Sequence, residues 1–307
     1  MLIRIFLSAF LLSGLATPIS AEVSETARET IGWGRFFNND LLGDGEDRWH
    51  TSSYSVSRVR GPKWTGDLPQ SAGQIVEFRF RADMIAPGNM NKPLINDRRY
   101  VGILSFGLHT HFRNATQQMS LGGDLVFIGP QTGISRFHDF IHDGLGLPDS
   151  KVFSNQLPNA VYPTVTGELG HPIALSDNLT FRPFVEGQAG AEYLVRGGAD
   201  LVLGKLGLDD LLLRDQTTGQ RYSAAQGPDG RGLSLTTGAD VARVFSSAYL
   251  PADGDAEASP LRTRLRAGLN WQGKKSFVFL GVTHLSPEFK QQPKGQTVGS
   301  LSLQIKF

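Results

Sequence analysis

Hydrophobic and polar residues alternate with a period of two along much of this chain. In residues 75–82, Val76, Phe78, Phe80 and Ala82 fall on one side and Glu77, Arg79 and Arg81 on the other. In residues 260–272, Leu261, Thr263, Leu265, Ala267, Leu269 and Trp271 oppose Arg262, Arg264, Arg266, Asn270 and Gln272. A pleated strand sends alternate side chains to opposite faces, so both segments predict β-strands with one apolar and one charged face. Residues 99–112, 180–193, 275–285 and 297–307 add strands that alternate less cleanly. The total comes to about ten to twelve. The polar, glycine-rich stretches 205–234 and 250–260 read as long external loops. One segment, residues 129–146, breaks the pattern. There Ile134, Phe137, Phe140 and Ile141 recur at helical spacing before Gly144 and Gly146, which predicts a short amphipathic helix with His138 and His142 on one face.

Two closures satisfy such strands. A soluble sandwich would bury the apolar faces and expose rows such as Glu77, Arg79 and Arg81. A barrel would turn the apolar faces to lipid and the charged rows inward. Alternation alone leaves both open. The last strand places Leu301, Leu303, Ile305 and Phe307 on one face, and its aromatic end resembles the C-terminal signature of bacterial outer-membrane barrels. Residues 1–21 combine an early Arg4, an apolar run from Ile5 to Leu15 and the small pair Ser20-Ala21, the pattern of a secretory signal peptide cleaved after Ala21. That run is shorter than the ~20 residues that span a bilayer, and no later run approaches this length. Hydrocarbon admits only helices or closed barrels, because unpaired backbone groups cannot be left there. The expectation is an all-β transmembrane antiparallel barrel over residues 22–307, exported to the bacterial outer membrane, with a short helix in an external loop.

Composition agrees with a β protein rich in turns: 36 of 307 residues are Gly and 40% are hydrophobic. The 30 basic and 29 acidic residues nearly cancel, so no field favours nucleic acid as a partner. The chain holds 0 Cys, which removes thiol nucleophiles, disulfides and thiolate metal sites together. Any nucleophile is therefore an oxygen or a water.

The densest chemistry lies early. Asn39, Asp40, Asp44, Glu46, Asp47, His50 and Thr51 gather around Gly43 and Gly45. Ca²⁺ takes several carboxylate, amide and carbonyl oxygens, and this stretch offers them without EF-hand spacing. A solvated loop would have the same composition. His142 suits a general base near neutral pH. As a Zn²⁺ pair, His138 and His142 lack a third ligand in the sequence, and ordinary loop histidines fit the same pattern.

These residues resemble a family. The lipid A 3′-O-deacylases of the Gram-negative outer membrane, the LpxR group, begin with a strand ending in Asn-Asp, followed by Asp-Arg-Tyr-Tyr-Thr-x-Gly. Here Asn39, Asp40, Asp47, Arg48 and Thr51 match. Asp97, Arg98, Tyr100 and Gly102 look like the family's Asp-Arg-x-Tyr-x-Gly strand. The sequence FIGPQTG and then FIHDGLG resembles its Gly-Pro-x-x-x-Gly helix with a His before a Gly, and NQL at 155–157 resembles its Gln-Leu/Ile. LSPEFKQQ and GSLSLQIKF look like its closing hairpin, so the resemblance runs in order over residues 30–307.

What the resemblance implies is a twelve-stranded barrel with a site between the outer end of the wall and the loop helix. His142 would activate water, Asp40 would be the chief Ca²⁺ ligand, and Asn39 and Thr51 would complete the cation and oxyanion pocket. The implied activity is hydrolysis of the 3′-linked acyloxyacyl ester of lipid A, the anchor of lipopolysaccharide in the outer leaflet, by a monomer. Three positions depart from the family: Pro148 stands where it has Glu, His138 where it has Gln, and Ser53 where it has Gly. Asp149, next to Pro148, could stand in for that Glu. A catalytically inactive barrel serving as a pore or structural protein, and a phospholipase-like esterase, are the competing readings.

Overall fold

The computed structural model describes residues 28–90, 96–145, 151–227, 231–274 and 276–305. The expected signal peptide and Phe307 lie outside the described residues. In chain order the first half holds β1 (Glu29–Asn39), β2 (Trp49–Gly61), β3 (Ile75–Ala86), β4 (Val101–Asn114), β5 (Gln117–Ile128), α1 (Ile134–Leu145) and β6 (Ala160–Gly170). Next come β7 (Ile173–Ser176), β8 (Leu179–Ala189), β9 (Glu192–Leu203), β10 (Leu211–Arg214) and β11 (Arg221–Ala225). The last four are β12 (Gly232–Ser247), β13 (Leu261–Gln272), β14 (Ser276–Leu285) and β15 (Gln296–Ile305).

Every neighbouring pair is antiparallel, and the sheet runs β6-β5-β4-β3-β2-β1-β15-β14-β13-β12-β9-β8-β7. A pairing of β6 with β8 closes it into a barrel. Along β8, residues 184–189 face β6 and residues 179–181 face β7, so β6 and β7 share one place in the wall. Among the described residues the wall therefore has twelve places, the upper end of the count expected from alternation.

The faces decide between the two closures. On β13, Leu265 and Trp271 are exposed while Arg264, Arg266, Asn270 and Gln272 are buried. On β3, Phe78 is exposed, and Glu77 and Arg81 are buried. A water-soluble sandwich would do the reverse. Exposed Trp33 and Trp271 lie toward one end of the apolar band, and exposed Tyr193 and Phe245 toward the other, as the aromatic girdles of such barrels do. Among the described residues no helix is long and apolar enough to cross a membrane, so the wall alone spans it. The longer connections that carry α1 lie at one end, which in such barrels faces outward and is called the outer end below.

The lumen is largely filled, with a cavity of about 360 Å³ left between residues 206–221 and the inward side chains of β4, β6 and β8. Its charged rows close into ion pairs: Arg182 to Glu168 at 2.8 Å, Arg214 to Asp200 at 2.8 Å, Arg264 to Asp240 at 3.0 Å and Arg196 to Glu186 at 2.7 Å. Here the structure corrects the sequence reading. Residues 205–227 are not an external loop. They enter the barrel from the end opposite α1 as the β10–β11 hairpin, and residues 232–234 already belong to β12. The reason is apolar: Leu211, Leu213, Tyr222, Ala224 and Ala225 pack against Phe36, Val59, Ile75, Phe277 and Phe279 of the wall. Tyr222 stacks on Phe36 with centroids 4.6 Å apart. Gly32 is needed for this contact, because a Cβ there would sit 1.9 Å from the Ala224 carbonyl oxygen. The hairpin tip reaches far up the lumen, where Asn38 donates to Asp215 at 3.1 Å. The stretch 250–260 does connect β12 and β13 at the outer end.

Candidate active site

The outer ends of β1 and β2 are joined by a tight turn whose acidic residues divide into two kinds. The Asn39 side-chain oxygen accepts the Leu41 N–H at 2.8 Å, and the Asp40 carbonyl accepts those of Gly43 at 2.8 Å and Gly45 at 3.0 Å. Gly45 has φ +75, a left-handed conformation that favours glycine. Asp44 and Glu46 both pair with Arg48, at 3.0 and 2.7 Å, and the guanidinium lies 4.2 Å over the Trp49 ring. Those two carboxylates hold the turn together.

Asp40 differs. It is 0% exposed; its Oδ2 accepts the Arg48 N–H at 2.7 Å and the Gln296 amide at 3.4 Å, while no described donor reaches the buried Oδ1. Burial pushes its carboxyl up to about 8, with the charges of Asp47 and Asp44 adding to the effect. The Asp40 N–H donates to the Thr51 carbonyl at 3.2 Å. Thr51 is the extra residue of a bulge in the β2–β3 pairing, between His50 and Ser52, and its buried hydroxyl has no described partner either. The structure thus places Asp40 and Thr51 side by side, with two buried oxygens free to take a ligand. Asn39 adjoins them, half-buried and engaged in its turn.

Gln296, at the start of β15, is a residue that sequence reasoning missed. Its buried amide donates to the Arg48 carbonyl at 2.6 Å and to the His50 carbonyl at 3.3 Å, and accepts the His50 N–H at 3.0 Å. A lone Gln beside a strand gives no signal of such a role. Glu288 was likewise hidden in the LSPEFKQQ motif. It pairs with His50 at 3.1 Å, Arg262 at 3.1 Å and Arg98, joining three separate stretches at the outer mouth. Burial alone would raise its carboxyl, but His50, Arg262 and Arg98 outweigh that and hold it well below the usual carboxylate range.

α1 lies on the outside of the wall. It follows a helical turn at Pro130–Thr132 and starts after Gly133, which has φ +70. Gly102 faces outward on β4, and a Cβ there would come within 2.7 Å of the Ile134 Cβ. The outward residues Met84 and Ala86 of β3 join Tyr100, Met90 and Val152 in a cluster that Ile134 and Phe153 cover. Buried Tyr100 meets Phe153 edge-on at 4.9 Å. Its hydroxyl is pushed up by burial, then by the carboxylates of Asp139 on α1 and Asp47 on the first turn. Tyr100 therefore lies within electrostatic reach of both the helix and the acidic turn.

His138 is buried and sits edge-on to Phe153 at 5.5 Å, so it is part of the helix packing and not a surface residue. His142 belongs to the same helix one turn later, but its side chain lies outside the described part, as does Asp149 entirely. Among the described residues no group of three or more His, Asp or Glu side chains could hold a metal ion. Among the described residues, Asp40 is the carboxylate and Thr51 the neutral oxygen that such a cation would find.

The family model described as "Outer membrane protein LpxR" matches residues 5–307. Among solved structures, LpxR from Salmonella typhimurium superposes with a TM-score of 0.75 at 18% identity, covering 90% of this chain and 100% of that one. The KdgM porin in complex with disordered oligogalacturonate gives a TM-score of 0.43 at 7% identity, over 90% of this chain and 99% of that one. No curated protein matches. With a closed twelve-place barrel, a lipid-facing wall and a family match across nearly its whole length, the chain belongs to the LpxR family of bacterial outer-membrane proteins.

Proposed function

We propose that this protein is an outer-membrane ester hydrolase that removes the 3′-linked acyloxyacyl group from lipid A. The observation that carries this reading is Asp40, a fully buried carboxylate with one oxygen that no described donor reaches, beside a Thr51 hydroxyl in the same condition. Such groups are costly to bury unless something completes them. A divalent cation that prefers oxygen would do so, and Ca²⁺ accepts this mixture of one carboxylate with neutral oxygens. Membership of the LpxR family, which implies a lipid A deacylase, supports the substrate class. Closure of β6 on β8 leaves little open sheet edge for a second copy to pair with, which favours a monomer. A pore fits poorly, because the hairpin and the ion pairs largely fill the lumen.

In this reading Asp40, whose proton burial favours up to about pH 8 without a cation, gives up that proton on Ca²⁺ binding and becomes its charged ligand, and Asn39 and Thr51 supply neutral oxygens. Ca²⁺, when bound, polarises the ester carbonyl and offsets the charge that develops on its oxygen. His142 takes the proton from the attacking water as that oxygen bonds to the carbonyl carbon. The same ring returns the proton to the departing 3′-oxygen as the C–O bond breaks. Asp149 orients the ring.

Purified protein in detergent, mixed with lipid A with Ca²⁺ or with a chelator and followed by mass spectrometry, tests this. The expected result is Ca²⁺-dependent loss of one acyloxyacyl mass. Asp40→Ala and His142→Ala should each lower the rate by about 10² or more with the barrel still heat-modifiable. Cleavage of glycerophospholipid instead of lipid A would point to the phospholipase-like reading. No cleavage of either would leave an inactive barrel.

A further inference from the structure

α1 carries two large apolar side chains that nothing described covers: Phe137 is 59% and Phe140 is 71% exposed. At about 100° per residue, Ile134 and His138 form the face laid on the wall. Asp139, whose charge reaches the Tyr100 hydroxyl, falls on one flank, and Phe137 and Phe140 fall on the other. The wall below α1 continues the apolar surface. Phe80 faces Phe106 at 5.3 Å, and Phe106 meets Phe127 edge-on at 6.1 Å. Phe127 pairs in register with Leu104, one outward step nearer the helix than Phe106. The distance along β4 from Phe106 to Gly102, where α1 rests, is about 13 Å. Beside this ladder runs a groove of about 790 Å³ lined by Phe78, Leu108, Leu125 and Val165, and deepened by the missing side chain of Gly123.

We propose that α1 is an interfacial helix: Phe137 and Phe140 insert among the acyl chains of the outer leaflet, and the aromatic ladder beneath carries a chain of the lipid held there. The argument is continuity. The wall that already faces lipid passes without a polar break in its outward residues, from Leu108 through Phe106 and Leu104 to Gly102, into the underside of the helix. An amphipathic helix at this depth lies in the interface with its apolar side toward the chains. Combined with the hydrolase reading, on which this last step rests, the substrate reaches Asp40 sideways from the leaflet.

The absence of Cys makes the test clean. Single variants Phe137→Cys and Phe140→Cys carry a nitroxide label in vesicles of phosphatidylcholine and lipopolysaccharide. Oxygen and nickel-chelate accessibilities are then compared with labels at Leu108→Cys on the wall and Asp253→Cys on an exposed loop. Both helix labels should match Leu108, and values matching Asp253 would overturn the proposal whatever the protein hydrolyses. The unlabelled double variant Phe137→Ser/Phe140→Ser gives a second readout. It should raise KM for lipid A packed in vesicles by about tenfold and leave turnover on detergent-dispersed lipid A within about twofold. An equal loss on both would mean that the two rings serve the fold of the helix and not the membrane.

Discussion

One side chain, Gln296, ties the start of β2 to Asp40. Its amide fixes the Arg48 and His50 carbonyls and touches the carboxylate itself, so the bulge at Thr51 and the acidic turn move together. Hydrogen bonds of this kind contribute about 1 kcal/mol each, which is a factor of about five. Gln296→Leu should therefore weaken Ca²⁺ binding, measured by calorimetry, by roughly tenfold, while Gln296→Glu should alter its pH dependence. Glu288 sets a different property. Its carboxyl is held below the unfolded value of 4.5, so the stability it contributes is present above that pH and lost as pH falls through the lower folded value. Acidification below about 4.5 should loosen the outer loops, read as faster proteolysis with the barrel intact. Glu288→Gln should remove that pH dependence and leave Arg98 and Arg262 without their shared partner, at a cost of about 3 kcal/mol.

At the scale of elements, the site depends on how closely α1 lies on the wall. Gly102 permits the contact, since any Cβ would strike Ile134 and the Thr132 hydroxyl, which lies 2.8 Å away. Gly102→Val should lift the start of the helix without unfolding the strand, because β4 is held on both edges by β3 and β5. The expected outcome is loss of lipid A hydrolysis by about tenfold or more with unchanged heat-modifiable migration. His138→Ala belongs at this scale as well. Its ring packs on Phe153, so truncation should disturb the helix and cost more than a surface substitution, yet leave the pH profile of the reaction unchanged.

For the whole molecule the decisive feature is the plugged lumen. A barrel of twelve places could conduct ions, but the β10–β11 hairpin packs a hydrophobic core inside this one. Planar-bilayer recordings should show no steady open channel for the intact protein. Replacing residues 206–226 by a short Gly-Ser linker should open one, and a conducting intact protein would contradict the filled lumen.

Local pattern determined much of this protein. The alternation on β3 and β13 required strands with one charged face, and Ile134, Phe137, Phe140 and Ile141 required a helix where α1 lies. Which face turned outward was not in the pattern, because a charged row satisfies water and a polar lumen equally well. The family motifs pointed to Asp40 and Thr51 as neighbours, and the tertiary structure brought them together through a bulge that no periodicity announces. It alone decided that Asp44 and Glu46 are ion-paired while Asp40 is not, since burial depends on which strands surround a turn. It alone sent residues 211–225 inward, where Leu211, Leu213 and Tyr222 find a wall to cover them. It also buried His138. In each case the deciding term was contact between residues far apart in the chain, and Gln296 with Asp40, or Glu288 with Arg98, is visible only once the barrel has closed.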